Sequence, residues 1–383
     1  MLKRYCNFFR RACAIVCAAM LFFLSPQNAA AAPFMPSGSF AALQEAKVKA
    51  EQIKVTLAGK AYEGSAVNIE KLTITYSDGL IETISGSQIH FVNSSSYARE
   101  NSAPVLHAGR NEIRFRLQGS VYHFYVDAVA NTPATLAARQ LQDEISKSLY
   151  SHTSDSIFVT IRKYKSKQSE YLLTHVIINE PSQIRSGLSH DSYGGEREKP
   201  SDASKRMGWI VGVNGSNFNW GTGRPEYAGH CIKNGKLMEG GYTNGMEICL
   251  KKDGTLFSPQ KGLTSEELIS MGVTDTWSCG DCLLISDGKG INYGIQSQQY
   301  RYPRTAVGMV KPGEYYLITA GSGGYEGGMT YDEVREVLLR QGCTFGKCMD
   351  GGGSSTLVFE NEVVNPVAKK GERAVVDFLF FTG

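Results

Sequence analysis

The chain has 383 residues, 40 Lys and Arg against 37 Asp and Glu, a formal charge of +3, 41 Gly and only 12 Pro. That length holds two domains or one large one, and 42% hydrophobic with 10% aromatic residues excludes a collagen-like chain, a coiled coil or a bulk disordered polymer. The charge excess is local: residues 1–32 carry Lys3, Arg4, Arg10 and Arg11 and no acid, so that without them 36 basic residues face 37 acidic ones and no overall basic field is left to attract nucleic acid.

Residues 1–32 join this basic head to an apolar run over 12–24 and an alanine-rich end over 29–32, the three parts of an export signal. The run is shorter than the roughly 20 residues that cross a bilayer, which places an uncleaved anchor second to a cleaved signal. The chain is therefore expected to be secreted or held at the cell surface. A linker over 33–50 leads to residues 51–130, where short runs alternate. Leu72, Ile74 and Tyr76 end at Ser77-Asp78-Gly79, while Ile113, Phe115 and Leu117 alternate with Arg114 and Arg116 before Gln118-Gly119-Ser120 turns the chain. This spacing predicts a small all-β sandwich. The segment is similar to bacterial immunoglobulin-like modules, which implies a spacer or adhesion role at the cell envelope.

Thr132 as cap and Pro133 in the first turn, followed by Leu136, Leu141, Ile145 and Leu149, predict a connecting helix over 131–152. Residues 153–383 read as an α+β domain of mixed sheets with packed helices. Strands are expected over 157–164 and 171–178, then a charged, glycine-bearing loop over 186–201. A helix follows over 330–342, capped by Thr330 with Glu333 three residues on and stopped by Gly342. No 20–50-residue period is present, which excludes a repeat architecture.

Cys6, Cys13 and Cys17 fall in the export signal, leaving Cys231, Cys249, Cys279, Cys282, Cys343 and Cys348. An even number in an exported domain predicts disulfides, with Cys231–Cys249 on neighbouring strands and local or mutual bridges among the other four. The rival reading is zinc, held by Cys279-x-x-Cys282 and the Cys343/Cys348 pair.

The chain lacks H-E-x-x-H, G-x-S-x-G, the phosphate-binding G-x-x-x-x-G-K-[ST] and a strand-to-helix G-x-G-x-x-G. Three other segments can carry chemistry. An apolar strand over 209–213 delivers Asn214, Gly215 and Asn217 at its end. Arg304 and Thr305 enter a second strand after Pro303, and an arginine there suits bidentate phosphate or carboxylate binding. The third segment follows Cys348: Asp350, then Gly351, Gly352 and Gly353, then Ser354 and Ser355. Consecutive glycines let backbone N–H groups close on an anion, and Asp350 stands ready as acid, base or sugar-hydroxyl acceptor. His175, in mid-strand, is a further proton-exchanging candidate.

Together these segments resemble the phosphodiester glycosidase family, over roughly residues 155–383. Its blocks appear here in order: Asn214-Gly215-x-x-Phe218, residues 232–237, Thr276-Trp277-Ser278, residues 303–308, residues 350–356, Asn365-Pro366, and Glu372-Arg373. The resemblance implies hydrolysis between a sugar anomeric carbon and a phosphodiester oxygen, acting on a phosphodiester-linked or otherwise anionic glycan. It implies catalytic duty for Asp350, with Glu372 as second carboxylate; His175 stands beside them as a weaker candidate on its own chemistry alone. It implies substrate or phosphate binding by Asn214, Gly215, Asn217, Arg304, Thr305, Gly351, Gly352, Gly353, Ser354, Ser355 and Arg373. Nothing in the sequence requires a cofactor, and it leaves a divalent metal open. One departure bears on activity: Ala320 and Ser322 stand where the family commonly has Asp and Arg, which keeps a non-catalytic glycan-binding module as the alternative.

Overall fold

A computed structural model describes residues 50–92, 103–117, 120–166, 168–226, 230–292, 300–321, 327–368 and 371–383. The export signal, the linker up to residue 49, the Gln118-Gly119 turn and Ser322 lie outside the described residues. Among those described, one compact unit ends at Asp143 and a second begins at Glu144.

The first unit holds β1 (Ala50–Leu57), β2 (Ile69–Tyr76), β3 (Ile81–Ser85), β4 (His90–Phe91), β5 (Gly109–Leu117) and β6 (Ser120–Ala128). They form two three-stranded antiparallel sheets, β1-β2-β3 and β4-β5-β6. Alternation explains the core: Leu72 and Ile74 of one sheet and Ile113, Phe115 and Val126 of the other are buried, and Leu72, Ile113, Phe115 and Val126 share one cluster. Gly79 turns β2 into β3 with φ +82°, a conformation that favours glycine. The chain leaves this unit through α1 (Pro133–Ser146), where Thr132 Oγ1 accepts the Thr135 N–H at 3.2 Å.

The second unit runs β7 (Tyr150–Thr153), β8 (Ile157–Lys165), β9 (Glu170–Ile178), β10 (Ile184–Leu188), α2 (Pro200–Met207) and β11 (Val211–Asn214). Then come β12 (Cys231–Lys233), β13 (Lys236–Glu239), β14 (Glu247–Lys251), β15 (Leu256–Phe257), α3 (Ser265–Ser270) and β16 (Val273–Ser278). The last third holds β17 (Leu283–Ser286), β18 (Lys289–Gly290), β19 (Arg304–Lys311), β20 (Glu314–Ala320), α4 (Tyr331–Arg340), β21 (Phe345–Cys348), β22 (Leu357–Phe359), β23 (Glu362–Val363) and β24 (Asp377–Phe381). Eight strands form one antiparallel sheet in the order β18-β17-β21-β19-β20-β9-β8-β7, and five form another, β10-β24-β11-β22-β23. The main core lies between them, with Val211, Leu357, Leu379 and Phe381 meeting Val159, Val176, Val307 and Leu317. The helices lie outside: Leu338 of α4 packs against Gly308 of β19, and Ala203 of α2 clusters with Trp209, Phe378 and Phe380 on the far face of the five-stranded sheet. Burial of all five β24 residues follows from this layering, since both faces of the strand are covered.

The capping pair at Thr330 and Glu333 closes reciprocally at the head of α4, and Gly342 follows it with φ +77°. Part of the loop expected over 186–201 is strand, because β10 pairs with β24 along its whole length. Among the described residues no helix is long and apolar enough to cross a membrane.

Candidate active site

Four chain segments meet where β11 and β21 end and β19 and β24 begin. Asp350 and the three glycines form the turn between β21 and β22, and each glycine is required for a different reason. A Cβ on Gly351 would lie 2.7 Å from the Pro303 carbonyl oxygen, Gly352 has φ +60°, and a Cβ on Gly353 would strike the Arg373 guanidinium. Gly352 N–H donates to that same Pro303 carbonyl at 2.9 Å, locking the turn to the head of β19. Arg373 therefore lies directly over the glycine turn, and its Nη1 donates to Ser354 Oγ at 3.2 Å.

Asp350 is half-buried and surrounded by donors. Asn217 Nδ2 donates to its Oδ1 at 2.7 Å, the Gly351 N–H to the same oxygen at 2.9 Å, and the Ser354 hydroxyl also bonds to the carboxylate. Burial nonetheless pushes its pKa up to about 6, against the downward pull of Ser354, Arg373 and Gly351 and with a further push from the Asp377 charge. A carboxyl poised there exchanges protons near neutral pH, as a catalytic acid or base must.

Beneath lies a buried polar floor. Asp377 is 0% exposed and accepts Ser216 N–H at 2.6 Å, Ser216 Oγ at 2.7 Å and Lys233 Nζ at 2.8 Å. Lys233 is 3% exposed; burial pulls its pKa down, but the charge and hydrogen bond of Asp377 together with Cys231 and Asp275 outweigh burial and hold it above the ordinary lysine value. Gly215 is needed here too, since a Cβ would enter the Asp377 carboxylate. Lys233 also donates to the Thr276 carbonyl and stands 4.9 Å from the Trp277 ring centroid.

Several expected site residues are placed differently. Asn214 is fully buried and its amide is used up inside the protein: Oδ1 accepts from Thr305 Oγ1 at 2.8 Å and Thr356 N at 3.1 Å, and Nδ2 donates to the Asp350 carbonyl at 2.7 Å. Asn214 and Thr305 thus hold the turn and do not face a ligand. Ser355 is fully buried, with no partner for its Oγ. Arg304 points to the α4 face of its strand, opposite to Thr305. It stacks 4.0 Å from the Tyr331 ring centroid and donates from Nε to the Met329 carbonyl at 3.1 Å. Only its backbone abuts Gly351.

Two catalytic candidates have structural partners of their own. Glu372 is held at the N-terminus of α2, accepting Ser201 N–H at 2.7 Å and Ser201 Oγ at 2.5 Å, a charge-to-helix-end contact. It is likewise no ion-pair partner of Arg373. His175 pairs with Glu144 at 2.8 Å and Glu314 at 3.4 Å and stacks on Tyr316. Strand register puts it three strands across and four residues along from the row of Asp350, about 20 Å away.

The disulfides are corrected as well: all six cysteines are buried free thiols. β16 pairs with β14, and Thr276 of β16 takes the Ile232 N–H of β12, so Cys231 and Cys249 are not on neighbouring strands. Burial pushes the Cys231 thiol up to about 11 and the Cys343 thiol up to about 12. Cys282 and Cys348 are in side-chain contact, and the hydrogen bond between them together with burial holds Cys348 well above the ordinary thiol range. Among the described residues no group of three His, Cys, Asp or Glu side chains could hold a metal ion.

Sequence reasoning missed Asp377, Lys233 and Ser216. Asp377 had a readable signal, a single carboxylate inside Val375-Val376-Asp377-Phe378-Leu379. Lys233 lies in the 232–237 block, but nothing there marked it as buried, because lysine before an Asn-Gly turn is usually solvated.

The strand-rich α+β unit with few helices thus holds a carboxyl that exchanges protons near neutral pH beneath an arginine at a glycine turn. Residues 207–382 match the family model described as phosphodiester glycosidase. The SPbeta prophage-derived uncharacterized protein YomE of Bacillus subtilis (strain 168) is 28% identical over 255 residues, 59% of this chain but only 39% of that protein. The zebrafish N-acetylglucosamine-1-phosphodiester alpha-N-acetylglucosaminidase catalytic domain, auto-inhibited by its pro-peptide, aligns at 21% identity with a TM-score of 0.48, over 62% of this chain and 86% of that one. A hypothetical protein from Synechocystis aligns at 11% identity with a TM-score of 0.44, over 84% and 91%. Asp350, Arg373, Lys233 and Asp377 fall inside the matched residues; His175 and Arg197 fall outside.

Proposed function

We propose that the second unit hydrolyses a glycosyl phosphodiester, breaking the bond between the sugar anomeric carbon and a phosphodiester oxygen. The observation that carries this reading is Asp350, with its pKa pushed up to about 6, close enough to feel the charge of an Arg373 whose guanidinium donates to Ser354 and makes no direct ion pair among the described residues. Arg373 and the N–H groups of the glycine turn offset the phosphate charge, and they offset it more as the bond lengthens and charge moves onto the leaving oxygen. Asp350 as carboxylate takes one proton from water. The water oxygen bonds to the anomeric carbon and the second proton stays on the new sugar hydroxyl. The electron pair of the broken bond leaves with the phosphate as a monoester. Such a leaving group is a weak base, so one carboxyl suffices where an alcohol leaving group would call for two.

Export, a glycan of the cell surface as substrate, and an immunoglobulin-like adhesion role for the first unit belong to the same proposal, supported by the 1–32 signal pattern and the paired three-stranded sheets. The full chain, offered a panel of hexosyl-1-phosphodiesters, should release reducing sugar. Asp350→Ala and Arg373→Ala should each lower kcat by about 10²–10⁴-fold, the usual worth of a general base or an oriented charge. Saturable binding with no turnover for any panel member would replace the hydrolase by the glycan-binding module.

A further inference from the structure

Beside the glycine turn stands an aromatic side chain that the chemistry at Asp350 leaves unused. Trp220 is 61% exposed, and two guanidinium groups flank its ring, with the Arg197 carbon 4.6 Å from the centroid and the Arg373 carbon 5.3 Å. Neither arginine makes a direct ion pair among the described residues, although carboxylates are close in sequence: Glu198 is taken by Arg206 at 2.7 Å and Glu372 by Ser201, while the Asp350 charge acts on Arg373 without a direct bond. Two like charges beside one ring repel each other, and a bound anion would relieve that repulsion.

The arrangement is also rigid. Glu198 and Val375 exchange both backbone hydrogen bonds, at 3.0 and 2.9 Å, which ties the strand end carrying Arg373 to the segment carrying Arg197. Arg197 Nη1 donates to the Trp220 carbonyl at 3.0 Å, and Gly195 N–H donates to the Thr222 carbonyl at 3.1 Å. The charged, glycine-bearing stretch before α2 is thus a wall of the site. Its arginine is held over the indole, and Arg373, also over that ring, reaches Ser354 in the turn.

We propose that Trp220 and Arg197 form a second subsite, and that the substrate class is a polymer of glycosyl phosphates carrying at least two phosphodiesters. One phosphodiester lies at Arg373 and the glycine turn, a sugar unit lies against the exposed indole, and the next phosphodiester lies at Arg197. This rests on the glycosyl-phosphodiester reading of the Asp350 turn. A single glycosyl phosphodiester leaves Arg197 unpaired, whereas a second phosphate, presented on the same molecule, is bound at high effective concentration.

The test uses the full chain carrying Asp350→Asn, to suppress turnover, and two synthetic probes: methyl N-acetylglucosaminyl-1-phosphate with one phosphodiester, and its homologue with two phosphodiester-linked sugar units. Calorimetry should show the two-phosphate probe binding at least tenfold more tightly. Adding Arg197→Ala should bring the two affinities within about twofold of each other, and Arg197→Lys, which keeps the charge but loses the planar fork, should restore part of the preference. Equal affinity for both probes in the Asp350→Asn chain, or an Arg197→Ala effect of the same size on both, overturns the second subsite. Thermal midpoints identify a variant that fails to fold; Arg197→Lys and the loss of preference at high ionic strength then decide the matter. If the unsubstituted chain cleaves neither probe but the Arg197-dependent preference is present, the subsite stands and the hydrolase reading falls.

Discussion

Asp350 is costly to keep in its charged form, and the cost has a sign that can be measured. Its pKa in the folded protein is about 6, above the ordinary 3.8, so the folded state binds a proton more tightly than the unfolded chain between those values. Stability therefore falls as pH rises from about 4 to about 6 and is flat above. Asp350→Asn removes the charge and keeps an acceptor for Asn217 Nδ2. It should abolish turnover while raising stability at pH 7 by about 1–2 kcal/mol, less than the full shift because the group is partly solvated. The gain should vanish near pH 4, and denaturant titrations at the two pH values would show whether it does. In the unsubstituted chain kcat/KM should rise with pH through a limb near 6 and then level; a limb absent between pH 5 and 7 would remove Asp350 from the role of base. Lys233 gives the opposite case. Lys233→Met leaves the Asp377 carboxylate buried without its partner, and about 3–5 kcal/mol should be lost at neutral pH, seen as a lower denaturation midpoint.

The glycine turn links β21 to β22, and its residues differ in what they tolerate. Gly351→Ala places a methyl 2.7 Å from the Pro303 carbonyl, which belongs to a backbone fixed by β19, so the turn itself must move and about 1–3 kcal/mol of stability should be lost. Gly353→Ala meets only the end of the Arg373 side chain, which can swing away. Its expected signature is a large fall in kcat/KM with nearly unchanged stability, and circular dichroism melts run beside the hydrolysis assay separate the two variants. The turn was legible in the sequence because Asp350-Gly-Gly-Gly-Ser-Ser is a rare local string whose glycines have local causes. The partner of Gly353 was less so: Arg373 is 20 residues away and reaches the turn only because the segment before β24 runs beside it. Glu372, its neighbour, reads as the same kind of residue in sequence. The structure separates them by sending one carboxylate to the head of α2 and the guanidinium to Ser354. The cysteines failed for a related reason: a compositional rule about exported chains does not say which strands are neighbours, and β16 intervenes between Cys231 and Cys249.

The hydrophobic pattern alone was enough to read short alternating strands before residue 130 and mixed elements after it, since period-2 alternation and the Thr330/Glu333 cap are properties of a few adjacent residues. What the pattern could not give was sheet order. β24, the last strand, pairs between β10 and β11, and the eight-stranded sheet places β21 beside β19 and β17; such neighbours are set by the global packing of two apolar faces. The same long-range order brings Arg197, Asp350 and Arg373 together while leaving the first unit with a core of its own. Every residue assigned a role here lies in Glu144–Gly383, whereas Leu72, with 0% exposure, belongs to the separate cluster of the first unit. Leu72→Ala opens a cavity there and should cost that unit about 2–5 kcal/mol. Calorimetry should then show one transition moving down in temperature while kcat/KM on a glycosyl phosphodiester, measured below that transition, is retained. Loss of activity in step with the first unit's unfolding would mean that the second unit depends on the first one, and would overturn the assignment of the proposed site to Glu144–Gly383 alone.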